Sequence, residues 1–383
     1  MQTPQKPLAT LLIKPAGPDC NLSCDYCFYL EKAELFGSEK THRMTQTILK
    51  ELVRQAMQQA NREINFVWQG GEPMLRGLKF FKKAIEFQQS YGREQTVGNG
   101  LQTNGLLIDD QWAQFLQSYQ WLVGLSLDGP QHVHDYYRKT RRGNGTWEQV
   151  VDSAKRLLDA GVAVNALVVV TDYSVRFAHE IYEYHKNLGL THMQFIPCVE
   201  ADREDPGSVS SFSVSSEPYG RFLCQLFDLW MDDFTDLTST TSIRFFDSLF
   251  YRYIGLPAPE CTLSPECGDY VVVEHNGDVF SCDFFVQQEW RLGNVMESKL
   301  SDMLNAEKQW QFGRRKVHLP GACGHCQWLN YCRGGCPKDF LQADGEEKRN
   351  HLCSAYQMFF EYSHERFRNL AERWKSHNRS MRV

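Results

Sequence analysis

Short β-rich apolar runs alternate with amphipathic stretches along the first 200 or so residues. The runs at Ala9–Lys14, Ile64–Gln69, Thr96–Gln102, Leu122–Leu127, Ala163–Thr171 and Met193–Pro197 predict strands. Apolar positions at helical spacing between them predict helices over Thr45–Gln59, Leu78–Ser90, Asp109–Ser118, Trp147–Ala160 and Val175–Leu188. Parallel strands need a crossover connection, usually a helix, so the alternation reads as βαβ units of an α/β fold. Six such units fall short of an eight-fold barrel. They predict a partial (β/α)6 TIM-like barrel, with chemistry at the C-terminal ends of its strands.

The pattern changes after residue 200. A stretch rich in Asp, Ser, Gly and Pro, Glu200–Pro218, marks a boundary. A helix over Tyr219–Asp233 follows, and then a cysteine-dense region from Cys261 to Cys353. Within it, runs at Tyr270–His275 and Asp278–Cys282 flank Asn276-Gly277, which predicts a hairpin with a type I′ turn. A helix over Ser354–Trp374 closes the chain. The expected domains are 1–218 for the barrel core, 219–260 for a helical connection and 261–383 for a cysteine-rich domain with its terminal helix.

Composition narrows the function classes. Hydrophobic residues make up 42% of the 383 positions and aromatics 13%, enough for packed cores. A net charge of −6 and a pI near 6.1 argue against nucleic acid, whose binders carry a basic footprint. Two local basic runs, Arg138-Lys139-Thr140-Arg141-Arg142 and Gly313-Arg314-Arg315-Lys316, read as solvated faces. No apolar stretch approaches the roughly 18 residues that span a bilayer. Met1–Thr10 has one Lys and no apolar signal core, so a cytoplasmic location without a membrane partner is expected. Thirteen cysteines in a reducing compartment point to metal or redox use rather than disulfides.

Cys20, Cys24 and Cys27 follow the first strand in a C-x3-C-x2-C loop. Three thiolates can hold three irons of a [4Fe–4S] cube and leave the fourth iron open. The plain alternatives are a zinc site, with Asp25 as the nearby fourth ligand, or three unrelated buried cysteines. Gly70-Gly71-Glu72-Pro73 stands at the end of the second strand. Together the loop and this GGE motif resemble the radical S-adenosylmethionine (SAM) superfamily, in which an open iron chelates SAM.

That resemblance implies further positions. Gly70, Gly71 and Glu72 would meet the methionine ammonium of SAM, Tyr26 the adenine, Ser126 and Arg138 the ribose and carboxylate, and Val199 the adenine through its backbone. Cys267 is followed by nine residues, Gly277, four residues and Cys282, and then by Cys323-x2-Cys326-x5-Cys332-x3-Cys336 and a last Cys353. This resembles the SPASM extension of peptide-modifying radical SAM enzymes. By family pattern one auxiliary cluster takes Cys261, Cys267, Cys282 and Cys336, and the other takes Cys323, Cys326, Cys332 and Cys353. Three [4Fe–4S] clusters and SAM are therefore the implied cofactors. Cys198 and Cys224 remain as buried thiols.

Asp283 directly follows Cys282. With Cys27-Phe-Tyr29, Gln69 and Gln102-Thr-Asn104-Gly105, it makes the chain resemble the anaerobic sulfatase-maturating enzymes. The resemblance implies oxidation of a Cys or Ser of a sulfatase polypeptide to Cα-formylglycine, with Asp283 as general base. It also implies Tyr29, Gln69 and Asn104 as peptide contacts, and an electron donor such as flavodoxin or ferredoxin. A turn residue orienting Cys282 is the plain alternative for Asp283. Two other readings of the whole chain stay open: a SPASM enzyme crosslinking a ribosomal peptide, and a non-catalytic iron–sulfur electron carrier.

Overall fold

The computed structural model describes residues 5–36, 41–202, 204–205, 207–341 and 348–380. The chain divides into two compact units that interleave along the sequence. Unit 1 comprises Met1–Ser126, Arg138–Val164 and Cys267–Arg314; unit 2 comprises Leu127–Tyr137, Asn165–Glu266 and Arg315–Val383.

In unit 1, strands β1 (Thr10–Lys14), β2 (Glu63–Trp68), β3 (Thr96–Thr103) and β4 (Leu122–Ser126) pair in parallel and in chain order. Helices α1 (Gln46–Gln59), α2 (Leu78–Tyr91) and α3 (Asp110–Ser118) make the crossovers. Thr45 caps α1 by accepting from the Ile48 amide at 3.2 Å, and Asp109 caps α3 through the Trp112 amide at 2.9 Å. Alternation along β2 buries Ile64, Phe66 and Trp68. Trp68 then meets Phe81 and Trp121 in an aromatic core behind the strand ends.

The cysteine-dense region contributes to this same sheet. Strand Val271–Glu274 lies parallel to β1, with Leu11 opposite Val271 and Lys14 opposite Glu274. It returns antiparallel through Asp278–Phe280, which pairs in turn with Arg291–Asn294. The hairpin forms as predicted, but its turn is not type I′. Gly277 has φ +88° while Asn276 keeps φ negative, and the Gly277 amide bonds back to the Glu274 carbonyl at 2.9 Å. One left-handed glycine closing a longer connection explains the difference.

In unit 2, β5 (Ala163–Val170, most of it in this unit) pairs in parallel with β6 (His192–Pro197), and β6 with the short strand Ser242–Ile243. The helix expected over Val175–Leu188 is split into a 3-10 turn at Ser174–Arg176 and a helix at Ala178–Leu188. Ser174 Oγ accepts from the Thr171 amide at 2.8 Å, a local turn that competes with helix continuation. The helices Ser216–Asp232, Arg244–Ile254 and Cys353–Ser380 share an aromatic core: Phe359 lies 5.7 Å from Phe227 and 5.3 Å from Phe246, ring to ring. Among the described residues no helix is long and apolar enough to cross a membrane.

Candidate active site

After β1 the chain makes two tight turns, Gly17 amide to Lys14 carbonyl and Asp19 amide to Ala16 carbonyl, and so enters the cysteine loop at Cys20. The glycines of the GGE motif decide how the end of β2 meets this loop. The Gly71 amide bonds the Gly17 carbonyl at 2.8 Å and the Glu72 amide bonds the Asp19 carbonyl at 2.7 Å. A Cβ on Gly71 would sit 2.1 Å from the Asp19 oxygen, so no side chain fits. From the other side, Asp19 accepts from the His42 amide and lies against the His42 ring and the Arg43 guanidinium.

Asn104, past the end of β3, donates to Asn21 Oδ1 at 2.8 Å and to Cys20 Sγ at 3.7 Å. Arg141 donates to the Cys20 carbonyl at 2.9 Å. Burial, and then the Glu72 carboxylate, push the Cys20 thiol up to about 11. Such a thiol gives up its proton when a cation arrives, the usual linkage of metal binding to proton release.

Glu72 is fully buried, and burial lifts its carboxyl to about 7 against three stabilising bonds. Its Oε1 accepts from the Met74 amide and Thr103 Oγ1, and its Oε2 from the Asn104 amide at 2.8 Å. It thereby joins the ends of β2 and β3. Tyr26 and Arg138 come together, with the buried guanidinium 5.5 Å from the ring centroid. Ser126 is the last residue of β4. Val199 belongs to unit 2, where its carbonyl accepts from Lys338 Nζ at 2.7 Å.

A second cluster of charge lies at the ends of β1 and β2. Asp283 forms an ion pair with Lys14 and accepts at Oδ2 from Gln69 Nε2 at 2.8 Å. Lys14 has a side chain only 1% exposed, and its Nζ stands 3.4 Å over the Tyr29 ring centroid. The Tyr29 hydroxyl donates to Glu274, which is also fully buried. Burial, with the Glu274 and Asp283 carboxylates, drives the Tyr29 hydroxyl well above its ordinary range, so it remains a donor. Tyr29 packs in a core cluster with Val272, Phe280 and Val286. Gln309 is buried and donates to the carbonyls of Gly268 and Tyr270 at 3.1 Å and of Ser281 at 3.5 Å, and so braces the segments that carry Cys267 and Cys282.

Comparison with known proteins decides what this arrangement belongs to. Residues 15–184 match the radical SAM superfamily and residues 265–327 an iron–sulfur cluster-binding domain of the SPASM type. A serine-type anaerobic sulfatase-maturating enzyme of Bacteroides thetaiotaomicron is 38% identical, over 93% of this chain and 89% of its own. A cysteine-type enzyme of Clostridium perfringens is 35% identical, over 96% of this chain and all of its own. The chain belongs to the anaerobic sulfatase-maturating enzymes. A solved structure described as native anSMEcpe with bound AdoMet and Cp18Cys peptide superposes with a TM-score of 0.86 at 34% identity, covering 95% and 99% of the two chains. The fold is accordingly an α/β radical SAM core with a C-terminal SPASM domain, and the protein is an oxidoreductase of this radical SAM family.

An anaerobic sulfatase-maturating enzyme needs iron–sulfur clusters and SAM, and the donor sets fit them. Cys20, Cys24 and Cys27 stand on one glycine-clamped loop. In unit 2, burial first and then the neighbouring Cys353, Cys323 and Cys326 thiols push Cys332 up to about 12. Cys267 and Cys282 lie in unit 1, and Cys261 and Cys336 in unit 2. Among the described residues no group of His, Cys, Asp and Glu gathers as a cage for one ion. Thiolates of a cube reach separate irons and need no such convergence.

Sequence reasoning missed Lys14 and Glu274. Both read as ordinary strand-end residues, and only the parallel pairing of β1 with Val271–Glu274 puts them opposite each other. A Lys and a Glu inside otherwise apolar strand runs were the available signal.

Proposed function

We propose that this enzyme oxidises an active-site Cys or Ser of a sulfatase polypeptide to Cα-formylglycine, consuming one SAM per turnover. One [4Fe–4S] cluster is held by Cys20, Cys24 and Cys27. A second is held by Cys261, Cys267, Cys282 and Cys336, and a third by Cys323, Cys326, Cys332 and Cys353. When bound, SAM and the clusters supply the 5′-deoxyadenosyl radical that takes a hydrogen atom from the target Cβ, and the acceptor for the electron left behind. Asp283 takes the remaining proton, from the thiol or hydroxyl of the target. Lys14 and Gln69 fix the carboxylate for that task. Gly70, Gly71 and Glu72 shape the ground on which the methionine end of SAM rests, and Tyr26, Ser126, Arg138 and Val199 bind its remainder. Gln69 meets the extended substrate backbone, and Tyr29 and Asn104 flank it.

The observation that carries this reading is the Asp283 carboxylate, held between Lys14 and Gln69 one residue beyond a cluster cysteine. The test is anaerobically reconstituted enzyme with SAM, a reductant and a short peptide carrying Cys- or Ser-x-Pro-x-Arg. Mass spectrometry should find two hydrogens lost from Ser, or an aldehyde in place of the Cys thiol, with 5′-deoxyadenosine released in equal amount. An intrapeptide crosslink would instead identify a peptide cyclase.

A further inference from the structure

The basic run Arg138–Arg142, read from sequence as a solvated face, has a specific place in the fold. Arg138 turns inward onto Tyr26. The residues after it form a narrow loop closed by a bridge between Lys139 and Gly145, with the Thr140 amide bonded to the Asn144 carbonyl at 2.9 Å. Gly143, at φ +82°, bonds back to the Thr140 carbonyl and makes the tip. The loop is fastened to the cluster loop itself. Leu22 bridges Thr140, the Ser23 amide bonds the Lys139 carbonyl at 2.9 Å, and Arg141 bonds the Cys20 carbonyl. Arg141 and Arg142 are exposed and Lys139 is half-buried. The cysteine loop offers one exposed acid in return, Asp25. On a chain with a net charge of −6, this is a local concentration of cations on the loop fastened to the Cys20–Cys27 segment.

Reductive cleavage of SAM needs one electron from outside, and electron exchange falls steeply with distance, so a donor must touch the surface nearest the cysteine loop. Opposite charge at such a surface raises the rate of encounter and orients the partner. We propose that Lys139, Arg141 and Arg142 form the docking surface for an acidic electron-transfer protein of the flavodoxin or ferredoxin type, whose reduced flavin or iron–sulfur group gives up one electron there. This rests on the function proposed above and adds the place where the donor binds.

The other basic run does different work. Lys316 is buried and donates to the carbonyls of Cys261 and Thr262 at 2.8 and 2.6 Å, which ties down a cysteine turn and turns its own charge inward.

The test is K139E/R142E in the full, cluster-loaded enzyme, sparing Arg141 because it holds the Cys20 carbonyl. The readout is 5′-deoxyadenosine formed in the first turnover of oxidised enzyme, started with reduced flavodoxin or with reduced methyl viologen. With flavodoxin at low salt, the rate should fall by about tenfold or more, the scale of electrostatic steering. The deficit should shrink toward 1 M salt, where the Debye length is about 3 Å. With viologen, a small cation, the rate should stay level or rise. A wild-type rate with flavodoxin at low salt would overturn the proposal. So would an equal loss with both reductants, or a raised peptide KM under viologen, which would assign the surface to the substrate. Wild-type enzyme that releases no 5′-deoxyadenosine under viologen would instead sink the proposed function, and the docking surface with it.

Discussion

The two cysteine-bearing regions that lie within single units are built differently. The loop at 20–27 in unit 1 is held by the protein before any iron is considered: a glycine clamp from β2, the Asn104 amide, Arg141 and the Asp19–His42–Arg43 group. In unit 2 Cys323 and Cys332 ride on two four-residue helical turns, Gly321–Gly324 and Leu329–Cys332, with no side-chain cap and side chains that are half-buried or exposed, and Cys326 lies between them. Elements that short do not stand alone in water. On the ligand sets proposed above, the contrast teaches that a site leaving one iron free for a cofactor is preorganised by strands, while a fully ligated cluster can itself supply the order of its loops.

The largest effect should come from the preorganised side. Asp283→Asn leaves an amide oxygen to accept from Gln69 but removes the proposed proton acceptor. Peptide oxidation should fall by about 10²–10⁴-fold, the usual range for a general base, while cluster content and SAM binding persist. Near-normal oxidation by this variant would remove Asp283 from the chemistry.

Next comes the clamp. Gly71→Ala places a methyl 2.1 Å from a backbone oxygen that cannot swing away. A loss of about 3 kcal/mol is expected, the upper range of overpacking. Gly161→Ala is the control: its φ is +74° but the space around it is open, so only the left-handed strain of about 1 kcal/mol should appear. Denaturant midpoints of the two variants read the difference. Equal midpoints would mean that the loop yields, and that the preorganisation is only apparent.

Iron removal tests the other region. On chelation, amide exchange over 321–336 should rise by at least about tenfold, as local structure loses its ligand, while 15–27 changes little. The reverse order of response would invert the comparison.

Much of this was legible in sequence because it is local. The strands of the first 200 residues follow periodicity, and the spacing Cys20–Cys24–Cys27 sits on one loop. Glu72 read as a contact to SAM, and its bonds to Thr103 and to the Asn104 amide depend on how β2 and β3 end side by side. Asn104 read as a peptide contact, and its side chain is engaged with Asn21 and Cys20. The SPASM hairpin read as part of a separate domain segment, and its strand lies in register with β1. Pairing between residues some 260 positions apart leaves no mark in any local window, so Lys14 and Glu274 stayed hidden until the sheet was seen.

The smallest effect is expected at Tyr29, where two roles make opposite demands. The ring is buried in the core cluster, and its hydroxyl serves Glu274. Tyr29→Phe keeps the ring under Lys14 but deprives a buried carboxylate oxygen of its donor, at a cost of about 1 kcal/mol. If Tyr29 acts by holding Glu274 and Lys14, the variant should lose that stability and some kcat, with the peptide KM unmoved, because the change reaches Asp283 only through Lys14. If the hydroxyl instead binds the substrate backbone, KM should rise while the unfolding midpoint stays at the wild-type value. Measuring both in one preparation separates a residue that supports the base from one that touches the peptide.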